Sequence, residues 1–467
     1  MSKNRLFAFM AILVIASMLF ACAPQPTEAP VEATEAPAAE TEAPAATEAP
    51  VATEEAMAGT YPEIVVACWS GPEHDNLVKV AAEYEKITGN KVIVEEVARE
   101  AYYDKLTTTF VGGGSDYDSA YVMSDWIPGW VEAEALKDLT SFIEDPNVVM
   151  EGFDPAVFGK AVDFFSFDGK LYVYPSEGDT AWLWYRKDLF EEKGLKVPET
   201  WDEYLEAALA LNNPPDIYGT VIGAKQDEAW WDFMYYVYGM GGDLLDANYN
   251  PIINDEKGVA ALSFYTDLLQ KHKVVSPDVT TFGYNEILTS LQEGKAAMGI
   301  QWMAATQTLT DCSQSPKVCK DGAPLLGYAL PPGIKKDDGS IERHTGGSQW
   351  GWAIPTGSQN QEAAYKFIEW LTSKEGAKMW ALNGGIPGNI DALKDAEVVA
   401  QIPQFAMLAE VMPYRSIFPA LTVSPEMLPV VNEGIVAAVS GLKDPQTAAD
   451  DIAAKLVEIL KSGGYLQ

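Results

Sequence analysis

A chain of 467 residues, 48% hydrophobic and 21% charged, has the composition of a folded, water-soluble protein with more material than one core usually holds, so two lobes are expected. Its 32 basic and 68 acidic residues give a formal net charge of −36, the wrong sign for a nucleic-acid binder that must neutralise phosphates. Four cysteines and three histidines (His74, His272 and His344), with no CxxC or HExxH spacing, argue against a zinc site, and no metal or cofactor is expected.

Residues 1–21 open with Lys3 and Arg5, continue through apolar residues from Leu6 to Phe20 and close on Ala21, the pattern of a secretory signal peptide. The run falls short of the roughly 20 residues that span hydrocarbon, and no later stretch is long and apolar enough to cross a membrane. Leu19, Phe20, Ala21 and Cys22 resemble the lipobox of bacterial lipoproteins, in which the cysteine is lipidated on sulfur and becomes the N-terminus after cleavage. An ordinary signal peptide followed by an incidental cysteine is the alternative. The lipobox implies an exported protein, on the cell surface or in the periplasm, that meets the membrane through its lipid anchor alone.

Residues 22–60 follow Cys22 with Ala, Pro, Thr, Glu and Val in a recurring T-E-A-P pattern that cannot build a core. The glutamates from Glu28 to Glu55 repel one another and the prolines favour extended chain, so a semi-rigid tether is expected. Leader and tether together hold few basic residues and a minority of the acids, so the folded part is itself strongly acidic.

Glu63 to Trp69 has the pattern of a buried strand, and Leu77, Val80, Ala81 and Tyr84 then recur at helical spacing until Gly89. Lys91 to Val97 is a second strand, which together describes a parallel βαβ unit and places the loop after Trp69 at the carboxyl end of a sheet, where ligands collect. A second helix carries Tyr103, Leu106 and Phe110 on one face and ends at Gly112 to Gly114, and Asp118 to Met123 is another strand. Thr200 and Glu203 form a capping-box signature before a helix with Trp201, Tyr204, Leu205 and Ala208 at core spacing. Trp201, Trp370 and Trp380 are expected to be structural. A last helix uses Ile452, Ala453, Leu456 and Ile459 before Gly463. The alternation of strand and helix indicates an α/β architecture throughout.

Cys312 and Cys319 bracket a polar loop and are close enough to pair, so a disulfide is expected in an exported protein. Cys68 lies inside the first strand and is expected to act as a small buried hydrophobe.

Several segments occur in one order: VVACWSG, GGGSDYDSAYVMSDW, GKLYVYPSEGDTAWLWYRKDLFEEKGLKVPETWDEY, EGKAAMGIQW, GGSQWGWAIPTGSQNQEAAYKFIEWLTS and GGIPGN. Together these resemble the extracellular solute-binding proteins of ABC importers, in particular the carbohydrate-binding family that includes maltose-binding protein. The resemblance covers nearly all of residues 61–467. It implies a two-lobed periplasmic-binding-protein fold of α/β class, with hinge segments and a ligand cleft between the lobes. The lobes would comprise residues 61–177 with about 348–392, and about 178–347 with 393–467. It further implies a monomer that captures a mono- or oligosaccharide without altering it and delivers it to permease subunits.

A sugar presents apolar C–H faces and a rim of hydroxyls, so its binder needs aromatic platforms beside carboxylates, amides and hydroxyls. The chain has 13 tryptophans, several at expected loop positions. Trp69 with Ser70, and Ser124 with Asp125 and Trp126, end strands and are first-lobe candidates. The resemblance puts Asp179 where the family often grips sugar hydroxyls, a hinge salt bridge being the alternative. It puts Trp231 and Trp302 where the family stacks an aromatic on the sugar. Trp350 follows the flexible Gly346, Gly347 and Ser348, and Tyr102 is expected to be freer than Tyr103. Where maltose-type members carry a further aromatic on a late helix, this chain has Met427 and Leu428, which leaves the length of the bound sugar open.

Two other functions fit the same residue types. A glycosidase also combines carboxylate pairs with aromatic platforms, although it needs a fixed carboxylate separation in one rigid site. Aromatic rings with Asp and Glu can also cage a polyamine or another cationic solute. No GxSxG, P-loop or GxGxxG motif points to further chemistry.

Overall fold

The computed structural model describes residues 60–467, so the expected leader, Cys22 and all but the last residue of the tether lie outside the described residues. Strand β1 (Ile64–Trp69), helix α1 (Pro72–Thr88) and strand β2 (Val92–Val97) form the expected parallel unit, with Val66 opposite Val94. Leu77, Val80, Ala81 and Tyr84 of α1 are buried in the same core as Val66, Ala67 and Cys68. Gly89 ends the helix in the left-handed region (φ 71°), where it donates its N–H to the Glu85 carbonyl oxygen. Helix α2 (Tyr102–Val111) stops at Gly112, and strand β3 (Ser119–Met123) pairs parallel with β1.

Strand β4 (Val173–Arg186) carries the chain from one core to the others. Val173 and Tyr174 belong to the core of β1 to β3, whereas Ala181 and Leu183 enter a second core and Trp182 and Trp184 a third. The period-2 alternation of a strand sends its neighbours to opposite faces, which is how four consecutive residues feed two cores. Helix α3 (Trp201–Leu211) begins with the expected capping box, in which Thr200 and Glu203 accept each other's backbone N–H, and Trp201, Tyr204 and Ala208 are buried. Such a cap contributes about 1 kcal/mol.

Helices α4 (Ala229–Gly239) and α5 (Glu256–Gln270) fill the second core. Helix α6 (Tyr284–Gln292) precedes strand β5 (Met298–Trp302), which runs antiparallel to β4, as does strand β6 (Leu326–Ala329). Strand β7 (Thr345–Ala353) is buried along its length and runs antiparallel to both β3 and β4, so Trp350 lies opposite Met123 on one side and Glu177 on the other. The register shifts between Trp350 and Gly351, and the bulged Ser176 gives its carbonyl oxygen to the N–H of Gly388 at 2.5 Å.

Helix α7 (Gln361–Thr372) covers the first core with Ala364, Phe367 and Ile368. Trp380 is buried against the first core and Trp370 half-buried at its edge, both packing roles as expected. Strand β8 (Arg415–Ser416) pairs parallel with the start of β7, and helices α8 (Ser424–Val439) and α9 (Pro445–Ser462) pack on the second core. The open mixed sheet has the order β6-β4-β7-β3-β1-β2, with β5 joined to β4 and β8 to β7. The result is a two-lobed α/β fold whose lobes share β4 and β7.

Cys312 and Cys319 are disulfide-bonded, and Cys68 is a buried free thiol whose pKa burial pushes up, so it is held protonated. Among the described residues no helix is long and apolar enough to cross a membrane.

Candidate functional site

Where β4 and β7 leave the first lobe, the sequence places Glu177, Gly178 and Asp179 opposite Trp350, Gln349 and Ser348. Both carboxylates are buried, and burial raises both pKa values, Asp179 adding to the rise at Glu177. The Tyr121 hydroxyl donates to Glu177, and the backbone N–H of Thr180 donates to the Asp179 carboxylate at 2.8 Å. Arg415 from β8 answers these charges. Its Nη1 donates to the Asp179 carbonyl oxygen at 3.2 Å and its Nη2 to the Gln349 side-chain oxygen, while Gln349 donates to the Glu177 carbonyl oxygen at 2.6 Å. Burial lowers the guanidinium to about 10 against the opposing pull of Asp179 and Glu177. Asp179 thus sits at the crossing as expected, but Arg415 reaches its backbone and not its carboxylate.

The first-lobe aromatics form one cluster. Trp69 packs edge-on against Trp350 with ring centroids 4.1 Å apart, Trp350 stacks on Tyr121 at 5.2 Å, and Trp126 meets Trp350 edge-on at 5.3 Å. Trp69 donates its indole N–H to Glu73 at 3.0 Å and lies under the Arg99 guanidinium at 4.4 Å. Trp350 donates to the Ser348 hydroxyl at 3.1 Å. Trp69 and Trp350 are 6% and 7% exposed, with most of their ring surface taken up by other rings. Trp126 is half-buried beside them, and Ser70 donates its backbone N–H to Val97.

Tyr102 is a correction to the expected site. It is buried, and its hydroxyl is within 2.9 Å of the carbonyl oxygens of Ala67 and Tyr121, so it belongs to the core. Tyr103 is the more exposed neighbour. Tyr102, Leu106 and Phe110 are spaced i, i+4, i+8 and Tyr103, Leu106 and Phe110 i, i+3, i+7, two spacings that both describe one helical face.

Two cavities share Trp231 in their linings. The larger, about 300 Å³, is lined by second-lobe residues including Glu228, Asp232, Tyr235, Tyr284 and Gln301, together with Trp231 and Trp302. The smaller, about 190 Å³, is lined by Ser124 and Asp125 from the first lobe, Gly347 and Ser348 from β7, and Trp231, Ile417 and Phe418. Trp231 lines both. Of the expected site residues, the structure therefore brings together Ser124, Asp125, Trp231 and Trp302, while Trp69, Ser70, Tyr102, Trp126, Asp179 and Trp350 line neither cavity.

Burial pushes the Asp125 carboxyl up to about 7, and its Oδ1 has no hydrogen-bond partner. Asp232 is also pushed to about 7 by burial, although the Tyr265 hydroxyl donates to it at 2.5 Å and the Gly223 N–H at 2.9 Å. Gln301 donates to the Tyr284 carbonyl oxygen at 2.9 Å and accepts the Trp302 N–H at 2.9 Å, which fixes the strand end that carries the indole. Trp302 meets Tyr235 edge-on at 5.6 Å. Among the described residues no cluster of three or more His, Cys, Asp or Glu side chains is arranged to hold a metal ion.

Arg415, Gln349, Tyr235 and Tyr284 are absent from the sequence-derived candidates. Tyr235 was within reach, since it follows Trp231 by one helical turn and shares its face. Nothing local marks Arg415, which acts on residues more than two hundred positions earlier.

This geometry, two α/β lobes joined by crossing strands with a polar and aromatic boundary, defines a solute-binding class of protein. A profile of the bacterial extracellular solute-binding protein family matches residues 70–378, and the chain belongs to that family. A probable amino-acid ABC transporter periplasmic-binding protein of Sinorhizobium fredii is 24% identical over 85% of this chain and 89% of its own length. A mannitol-binding protein of Pseudomonas aeruginosa is 29% identical over 63% of this chain and 64% of its own. The maltose-bound T. maritima MalE3 shares the fold with a TM-score of 0.71, at 26% identity over 85% of this chain and 100% of that one.

Proposed function

We propose that the chain is the extracytoplasmic sugar- or polyol-capturing subunit of an ABC importer, which takes its solute between the lobes and releases it unaltered to a permease. The observation that carries this reading is the smaller cavity, whose lining brings Ser124 and Asp125 together with Ser348, Trp231 and Phe418. An indole offers an apolar face to sugar C–H groups while a carboxylate and hydroxyls take up the hydroxyl rim. The mannitol-binding and maltose-bound relatives support a polyhydroxylated solute.

The lobes, divided near residues 177 and 347 and again near 392, close about the β4–β7 crossing and hold the solute by contacts from both sides. The protein works as a monomer, carries out no reaction, and is held to the membrane through Cys22 and its tether. A thermal-shift screen against mono- and oligosaccharides, polyols and amino acids tests this, since ligand at 100 times its dissociation constant adds about 2.7 kcal/mol of stability. A shift with a sugar or polyol supports the reading, and a shift confined to other solutes refutes it. Product release from labelled oligosaccharides at catalytic protein amounts would remove the non-enzymatic part.

Asp125, Glu228 and Asp232 at the cavities keep one second reading open, a cationic solute such as a polyamine. Its binding weakens steeply with ionic strength, whereas that of a neutral sugar does not.

A further inference from the structure

We infer that Asp232 serves the site as a neutral carboxylic acid, which makes the larger cavity a receptor for uncharged hydroxyl donors and closes it to cationic solutes. This rests on the sugar-binding reading above and adds to it the residue that decides between the two kinds of solute.

The proton is placed by counting donors. The Tyr265 hydroxyl lies 2.5 Å from Asp232 Oδ2 and 2.6 Å from the Gly223 carbonyl oxygen, and the Gly223 N–H donates to the same Oδ2 at 2.9 Å. A phenol has one proton to give, and a carbonyl oxygen has none. With an ionised Asp232, one of the two short contacts would bring two oxygens together with no hydrogen between them. An acid proton on Oδ2 fills both: Asp232 donates to the Tyr265 oxygen, and Tyr265 donates to Gly223. Burial favours this form, pushing the carboxyl up to about 7 against the hydrogen bonds of Tyr265 and Gly223.

The surroundings supply no counter-charge. The titratable groups that face Asp232 are Tyr204 from α3, Tyr235 and Tyr236 from its own helix α4 and Tyr265 from α5, phenols that burial pushes up and keeps uncharged. Among the described residues the cavity lining holds no Lys, Arg or His. Glu228, the other acid in that lining, is already answered by Lys225 Nζ at 2.6 Å and by the Tyr284 N–H at 2.8 Å. A cation entering the cavity would thus meet no unpaired carboxylate to offset its desolvation.

What remains for a ligand is a neutral pair. Asp232 Oδ1 takes no hydrogen bond from the protein and is not enclosed, so it is free to accept. Tyr235, three residues on along α4 and in the same lining, has a buried hydroxyl without a partner. Side chains at i and i+3 are neighbours on one helix face. The hydroxyls of a sugar or polyol both donate, as Asp232 Oδ1 requires, and accept, as Tyr235 requires.

Carbon-13 NMR of the full chain with labelled aspartate carboxyls reads the proton directly, the Asp232 signal being identified by its loss in Asp232→Asn. That signal is expected to titrate near 7, and a midpoint nearer the ordinary aspartate value of about 4 overturns the inference. Calorimetry below the midpoint, with D-mannitol, D-glucose, maltose and spermidine as probes, reads the consequence: a sugar or polyol is expected to bind and spermidine is not. For the tightest of the three neutral probes, Asp232→Asn, which keeps a neutral acceptor, is expected to cost about threefold in affinity, and Asp232→Leu, which removes it, about tenfold or more. Thermal melting checks that both variants fold, and the NMR result on the unaltered chain decides the protonation state if one does not. Equal losses in the two variants, or unchanged affinity in Asp232→Leu, overturn the role of Asp232 and leave the sugar reading standing. Spermidine binding beside a sugar overturns the exclusion of cations. Binding of spermidine alone, or of no probe at all, overturns the sugar reading and this inference together.

Discussion

The Arg415 guanidinium donates to the backbone carbonyl oxygen of Asp179 at 3.2 Å, joining the short strand β8 to the point where β4 passes from one lobe to the other. The same guanidinium reaches Gln349 on β7, which in turn holds the Glu177 carbonyl oxygen, so one cation ties both crossing strands together. Asp179, Glu177 and Tyr235 pull its pKa up against the larger lowering by burial.

Removing that cation leaves the buried Asp179 carbonyl oxygen and the Gln349 side-chain oxygen without the donor they have now. Arg415→Met is therefore expected to lower unfolding stability by about 1–3 kcal/mol for each acceptor left unpaired. Urea denaturation of the two proteins measures it. A loss below about 1 kcal/mol would show that the arginine's hydrogen bonds do not hold the crossing strands together.

Two glycines make room for the arginine. A Cβ on Gly347 would lie 2.2 Å from the Arg415 Cδ and 2.4 Å from the Asp179 carbonyl oxygen, whereas one on Gly178 would meet the Arg415 Nη1 and the Met412 Sδ at 2.6 Å each. Met412 can swing away, but the backbone of Asp179 cannot. Gly347→Ala is thus expected to destabilise the fold more than Gly178→Ala, by about 1–3 kcal/mol for the overpacked site. Equal melting temperatures for the two variants would contradict this.

The pH response follows from the buried acids. Asp125 and Asp232 titrate near 7 in the folded protein and near 4 in the unfolded chain, burial being the first cause in both. Between those values the native state binds more protons than the unfolded state, so the contribution of these two acids to stability falls as pH rises from about 4 to about 7 and levels off above. The melting temperature is expected to be higher at pH 5 than at pH 8. Asp125→Asn should reduce that difference, and a variant with the full wild-type difference would show that Asp125 does not titrate in this window.

How much of this was legible in the sequence depends on the range over which each residue acts. The β1–α1–β2 unit, the Thr200–Glu203 cap and the Cys312–Cys319 bond involve partners close along the chain, and local pattern was enough to find them. Trp302 and Ser124 could be placed near the boundary because each lies at or just past the end of a strand. Tyr102 was misplaced because helical periodicity tolerates neighbouring choices of face, and only the hydroxyl's bonds to Ala67 and Tyr121 decide between them. Arg415 and Gln349 act through contacts made only after both strands cross, and a lone arginine before a serine carries no such message.

The tryptophans separate into two groups that one pair of measurements can distinguish. Trp231 lines both cavities and is half-buried, so Trp231→Ala removes a ligand-facing surface that the fold needs only in part. Trp350 is 7% exposed, wedged among Trp69, Tyr121 and Trp126, so Trp350→Ala opens a void in the first core. Truncating a buried aromatic costs about 3–5 kcal/mol of stability. The expected result is a split: Trp231→Ala loses at least tenfold in sugar or polyol affinity with little change in melting, and Trp350→Ala loses several kcal/mol in unfolding. Trp302, which lines the larger cavity alone, should fall between them, with an affinity loss smaller than that of Trp231→Ala. If Trp231→Ala keeps full affinity while Trp350→Ala loses it in a still-folded protein, the ligand lies against the first-lobe cluster instead, and the cluster's edge-on contacts must open to admit it.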